Sequence, residues 1–283
     1  MRGVIPSLHL AASPRKPAEI MATIASNLQA VRERIARAAA AAGRRSDDIA
    51  LIAVSKTVPA AAIAEAHACG QRLFGENQVQ EGVKKATELA RLDAQWRIAH
   101  GQRADQSTSS NALPSSGVAS PEGPLLLPLE WHFIGPIQSN KTRTIAEHFQ
   151  WVHGIEREKI AERLNEARAA ALPPLEVCIQ VNVSGEASKA GVAPGGELAL
   201  AEAISRLPRL RLRGLMAIPE PAADPAVQRR QFARLRELKD GLVARGYALD
   251  TLSMGMSDDL EAAIMEGATM VRVGTAIFGS RKK

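Results

Sequence analysis

Lys56 follows a short apolar run, Ala50-Leu51-Ile52-Ala53-Val54, within the tripeptide Ser55-Lys56-Thr57. A lysine amine at the mouth of a strand forms an imine with a carbonyl when burial or neighbouring cations keep it neutral. Far along the chain, Ser253-Met254-Gly255-Met256-Ser257 and Val271-Arg272-Val273-Gly274-Thr275 each carry an apolar run into small residues and glycine. Such strand ends offer backbone N–H groups to an anion. Together the stretches describe a site for a phosphorylated aldehyde. Each residue also has a plainer reading. Lys56 fits a strand-end lysine with its head in water, and Arg272 a strand-end cation rather than one facing a ligand ring. Ser257 fits a helix N-cap followed by Asp258 and Asp259 in the first turn. Those carboxylates repel a phosphate placed over that helix. The anion is therefore expected mainly on Gly274 and Thr275, with Ser257 assisting and Met254 among the lining residues.

Other strand ends add polar groups: Gly75-Glu76-Asn77, His132 with Gly135, His153, Asn182-Val183-Ser184 and Met216. The two histidines read either as strand-closing hydrogen-bond formers or as ligand contacts. No G-x-G-x-x-G, P-loop or G-x-S-x-G pattern occurs.

These residues need a scaffold that brings strand ends together. Apolar or β-branched runs sit near 50–54, 72–74, 131–134, 150–153, 177–183, 211–217, 250–254 and 270–273. Helical patterns lie between them, near 59–69, 78–92, 138–148, 156–171, 195–206, 225–245 and 257–266. An additional first helix is marked by the stripe Ile24, Leu28, Val31, Ile35 and Ala38 or Ala39. Phe232, Leu235, Leu238 and Leu242 form a similar stripe later on. Strand–helix alternation implies a parallel sheet with right-handed crossovers. Eight such units predict a (β/α)8 TIM barrel with an extra N-terminal helix, and the runner-up is an open doubly wound sheet. Residues 21–283 read as one domain, preceded by a disordered 1–20 extension. The Ser-, Gly- and Pro-rich segment at about 100–128 reads as a flexible insertion on the N-terminal face of the barrel.

The composition excludes several classes of function. Formal charge is +6, but Arg2, Arg15, Lys16, Arg281, Lys282 and Lys283 face only Glu19 at the chain ends. Without those ends, 30 of the 36 basic and 29 of the 30 acidic residues remain. The body is near neutral, so no nucleic-acid partner is expected. The two cysteines and six histidines show no metal-ligand spacing. A reducing, cytoplasmic setting is expected, with neither a membrane span nor a signal peptide.

The assembled motifs resemble the pyridoxal 5′-phosphate (PLP) homeostasis protein family, single-domain relatives of the alanine racemase barrel. They are Ala53-Val54-Ser55-Lys56-Thr57, Phe74-Gly75-Glu76-Asn77 with Gln80-Glu81, Trp131-His132-Phe133-Ile134-Gly135 with Gln138-Ser139-Asn140-Lys141, and Gly214-Leu215-Met216. Leu252 to Asp259 and Val271 to Gly279 complete the set. The resemblance implies a PLP Schiff base on Lys56, phosphate held by Ser257, Gly274 and Thr275, Arg272 at the pyridine nitrogen, and Asn77 along the ring. It also implies buffering or delivery of vitamin B6 as PLP, an influence on amino-acid and keto-acid balance, and no established reaction. PLP-dependent apoenzymes are the expected partners and a monomer the expected state. A PLP racemase or decarboxylase and a Schiff-base aldolase remain the alternatives. The 1–20 extension and the 100–128 insertion fall outside the family pattern.

Overall fold

The apolar stripe at 24–39 folds as expected. In the computed structural model, which describes residues 17–104, 128–186 and 190–279, it forms helix α1 (Pro17–Ala41), with Ile24, Leu28, Val31, Ile35, Ala38 and Ala39 all buried. Strand–helix pairs follow: β1 (Ala50–Val54) and α2 (Ala60–Ala68), β2 (Leu73–Glu76) and α3 (Val79–Ala104), β3 (Glu130–Phe133) and α4 (Thr142–His148), β4 (Trp151–Ile155) and α5 (Glu158–Ala167). The second half continues with β5 (Leu175–Gln180) and α6 (Glu197–Ser205), β6 (Leu210–Met216) and α7 (Pro225–Val243), β7 (Thr251–Ser253) and α8 (Leu260–Met265), β8 (Met270–Val273) and α9 (Thr275–Phe278).

All strand pairings are parallel and run in chain order. The ring closes where β8 returns to β1, with Ile52 opposite Arg272 and Ala53 opposite Val273. The expected (β/α)8 barrel is therefore present, and closure rules out the open sheet. Successive residues of a strand face opposite sides. Ile52, Trp151, Cys178, Met216 and Met270 pack as one cluster inside the ring. Their chain neighbours Ala53, Val152, Val177, Ile179 and Val271 belong to the larger cluster between strands and helices.

Several expected boundaries shift, among them the start of α4, at 142 and not 138, and the end of α5, at 167 and not 171. Helix α1 begins at Pro17, inside the stretch expected to be an extension, since proline suits the first helical position. Residues 1–16 lie outside the described residues. Helix α3 runs on to Ala104, beyond the expected end near 92 and into the expected insertion. Its added stretch is proline-free and rich in helix-forming residues, while 105–127 lie outside the described residues. Helix α8 starts at Leu260, not 257, because the Asp259 carboxylate accepts the Met256 N–H at 2.5 Å and holds 256–259 as a turn.

Two glycines let the strand ends crowd together. A Cβ on Gly135, just after β3, would lie 2.4 Å from the Asn77 carbonyl oxygen. Gly255, just after β7, has φ +94, and a Cβ there would sit 2.6 Å from the Ala263 methyl. Its carbonyl accepts the Arg272 N–H at 2.9 Å, tying the end of β7 to β8.

Candidate functional site

Alternation along β1 puts Ile52 and Val54 on the inner side of the ring, and Lys56 continues that parity at the mouth, half-buried. The residues on either side of Lys56 are tied down from behind. Ser55 points outward, and its hydroxyl donates to Glu76 Oε1 at 2.6 Å. The Lys85 ammonium, on α3, donates to Ser55 O at 2.6 Å, to Glu76 Oε1 at 2.9 Å and to Glu81 Oε1 at 2.6 Å. That Glu81 oxygen also accepts the Thr57 N–H at 2.5 Å. Thr57 has φ 62, the left-handed region that a β-branched residue rarely adopts. Such strain persists only where the surroundings hold it. Burial pushes the Glu76 carboxyl up, opposed by the Ser55 and Lys85 hydrogen bonds. Reading strand ends overlooked Lys85. The signal available was its i,i+4 spacing from Glu81 on α3.

Across the seam, β8 carries Arg272 on the inner parity, almost fully buried. Its Nη1 donates to Ser253 Oγ at 2.6 Å, and its Nη2 reaches past β7 to Ala217 O at 2.9 Å. Burial lowers its pKa to about 10, with Asp259 opposing, so it remains a cation at neutral pH. Gly274 follows and abuts β1, where a Cβ would lie 3.1 Å from Val54 O. Thr275 opens α9 and is exposed. N–H groups in a first helical turn lack intrahelical acceptors.

Helix α1 fastens this side from outside. Asn27 Nδ2 donates to Ile277 O at 2.9 Å, and Arg34 Nη2 donates to Ser257 O at 2.9 Å while pairing with Glu261 at 2.8 Å. Ser257 therefore sits in the turn before α8 and is not the helix N-cap; Asp259 takes that position. Met254 is fully buried in the cluster between strands and helices, so its side chain faces away from the mouth. Only its backbone lies near the other strand ends.

Asn77 follows β2 at the same rim, and its buried Oδ1 has no partner within the protein. His132 and His153 are not rim residues. Each lies inside its strand, fully buried on the inner parity, with His132 Nδ1 2.9 Å from His153 Nε2. Their own strands carry them past the mouth into the packed interior, where His132 stacks on Trp151 at a centroid distance of 5.5 Å. Among the described residues no group of His, Cys, Asp or Glu is placed to hold a metal ion, and no helix is long and apolar enough to cross a membrane.

The mouth thus brings Lys56, Asn77, Arg272, Gly274 and Thr275 to one end of a closed barrel, with Ser257 in the turn after β7. A family model described as alanine racemase, N-terminal domain, matches residues 26–282. The pyridoxal phosphate homeostasis protein of Pseudomonas aeruginosa is 58% identical over 261 residues, covering 92% of this chain and 97% of that one. The protein of the same name from Escherichia coli K12 is 51% identical over 264 residues, covering 92% and 98%. The solved structure of PipY from Synechococcus elongatus with PLP bound is 34% identical, with a TM-score of 0.69, covering 90% of this chain and 100% of that one. With a closed eight-strand barrel, this motif set and near full-length identity of this order, the chain belongs to the pyridoxal phosphate homeostasis proteins, within the wider group that shares the alanine racemase N-terminal domain.

Proposed function

We propose that this protein binds PLP covalently through Lys56 at the barrel mouth and holds it for intracellular buffering and delivery, without appreciable turnover. The observation that carries the reading is the pairing of β1 with β8, which sets the Lys56 strand beside the strand ending in Arg272, Gly274 and Thr275. PLP supplies an aldehyde that captures amines, a ring that withdraws electrons, and a phosphate dianion.

The residues fit that group. Lys56 would hold the aldehyde carbon through its amine, with loss of water. The first-turn N–H groups at Gly274 and Thr275 suit the phosphate, helped by the Ser257 side chain. The buried Asn77 Oδ1, lacking a protein partner, suits a donor at the ring edge. Arg272 is the residue for the pyridine nitrogen. As a buried cation it disfavours a second positive charge on the ring, and so weakens the ring as an electron sink.

Racemisation needs a second base on the opposite face of the substrate Cα. The single tyrosine, Tyr247, lies between α7 and β7, at the N-terminal end of the barrel and away from Lys56. Support for a binding role also comes from the relatives' names, which describe homeostasis rather than a reaction.

Borohydride treatment of the yellow protein, followed by peptide mapping, is expected to leave a pyridoxyl group on Lys56. Incubation with D- or L-alanine in deuterated water is expected to give no exchange at Cα at enzyme-like rates. A protein that stays colourless after incubation with PLP, or a label confined to another lysine, would sink the binding site. Rapid exchange would instead restore a racemase.

A further inference from the structure

A line of polar groups starts at the half-buried Glu130, continues through the buried barrel interior and ends on Arg272. At the N-terminal end, Glu130 Oε1 lies 3.0 Å from His132 Nε2. His132 Nδ1 is 2.9 Å from His153 Nε2, and His153 Nδ1 is 2.8 Å from Ser253 Oγ. The line closes at Arg272 Nη1, 2.6 Å from the same Ser253 Oγ. His132, His153 and Ser253 are fully buried, so no solvent competes for these contacts.

The Arg272 end sets the direction of the links. A guanidinium only donates, so Ser253 Oγ accepts from Arg272 and has its own proton to give. His153 Nδ1 is the partner at hand, so that nitrogen carries the lone pair and Nε2 carries the proton. His153 Nε2 then donates to His132 Nδ1, which leaves the His132 proton on Nε2. From the other end, the negative charge of Glu130 beside Nε2 favours a proton on that nitrogen of His132. The Glu130 carboxylate lies close to Nε2 without the alignment of a hydrogen bond, so it acts on the neutral ring as a nearby charge. Both ends favour the same His132 tautomer.

The surroundings keep the intermediate groups neutral and the ends charged. Burial pulls both imidazoles below their usual range, and for His153 the nearby His132 and Arg272 add to the effect. The His132 contact holds the Glu130 carboxyl low, helped by Arg72 and the Trp151 indole. Arg213 lies over the Trp151 ring, 4.9 Å from its centroid, and adds no acceptor to the line.

We propose that Glu130, His132, His153 and Ser253 are positioning residues for Arg272: a one-way hydrogen-bond line from His132 through His153 and Ser253, oriented by the Glu130 charge at the opposite face of the barrel, fixes the guanidinium at the ligand mouth. The idea that Arg272 meets the PLP ring rests on the proposed function; the line itself does not.

The deciding measurement uses the ligand-free protein with ¹⁵N-labelled histidine and arginine. Long-range ¹H–¹⁵N spectra near neutral pH are expected to show His132 and His153 each as the Nε2–H tautomer. Glu130→Gln keeps an acceptor oxygen and should preserve both tautomers and the Arg272 side-chain resonances. Glu130→Ala should let His132 and His153 sample the other tautomer and shift the Arg272 resonances. Ser253→Ala, cutting the line nearer its end, should shift Arg272 while leaving His132 as it was, and stands in for Glu130→Ala should that variant not fold. An Nδ1–H or charged ring in the wild type overturns the proposal. So do unchanged Arg272 resonances in folded Glu130→Ala or, failing that variant, in folded Ser253→Ala. A second arm follows PLP affinity by absorbance, with a loss of roughly fivefold expected in Glu130→Ala and near recovery in Glu130→Gln. If the wild type binds no PLP, the proposed function fails while the ligand-free spectra still decide the line.

Discussion

His132 and His153 are ordinary in type and unusual in placement, and their burial has a measurable cost. The unfolded chain takes up protons on them near pH 6.5, whereas the folded interior holds both below that value. Stability is therefore fully present above about pH 6.5 and lost as pH falls toward the folded values, by about 1.4 kcal/mol per pH unit for each histidine. Glu130 adds a separate loss at lower pH. Its folded pKa is depressed below 4.5, so its contribution is present above that value and disappears as pH falls through the folded one. Urea unfolding of the ligand-free protein between about pH 6.5 and 5 should show the histidine slope, and His153→Gln should remove about half of it. An unchanged slope in that variant would mean that the ring is protonated in the fold. The Glu130/His132 and Trp151/His153 alternations were visible in the sequence. That they meet across strands was not, because register between β3 and β4 is set by the closed ring.

At the scale of elements, period decided what could be read. The stripes of α1 and α7 stand out because buried residues recur at every helical turn, and Phe232, Leu235 and Leu242 are buried as that pattern requires. Strand β7 spans only Thr251–Ser253, and the start of α8 depends on one carboxylate, Asp259. Such short features carry no period, and their boundaries were misplaced by a few residues. The brace from α1 was equally invisible, since Asn27 and Arg34 look like ordinary polar positions of a surface helix. In the fold they hold Ile277 O and Ser257 O, in the two segments that carry the candidate phosphate contacts Ser257, Gly274 and Thr275. Arg34→Ala should therefore lower PLP affinity by roughly fivefold, the worth of about one ordinary hydrogen bond. Thermal unfolding should fall by only a few degrees. Equilibrium titration and a melting curve on the same sample check both. Unaltered affinity in a destabilised variant would reduce α1 to a packing element.

For the whole molecule, the barrel separates its two faces. The segment 105–127 leaves from the end of α3 at Ala104 and rejoins just before β3 at Glu130. Both ends therefore lie on the face opposite Lys56. Replacing 105–127 with a short linker should leave PLP affinity nearly unchanged, since changing loop length costs only about 0.6 kcal/mol per doubling. A tenfold weaker, still folded variant would show that this segment reaches the mouth. The same ring has a consequence for synthesis. Lys56 belongs to the first strand, while Arg272 and Gly274 lie on or just past the last, and these two strands touch only through closure of the ring. A growing chain exposes Lys56 before β8 and the candidate phosphate contacts beside it have been made. PLP cannot template early folding of such a chain. On the proposed function it rewards only the closed ring, in which β8 has paired with β1.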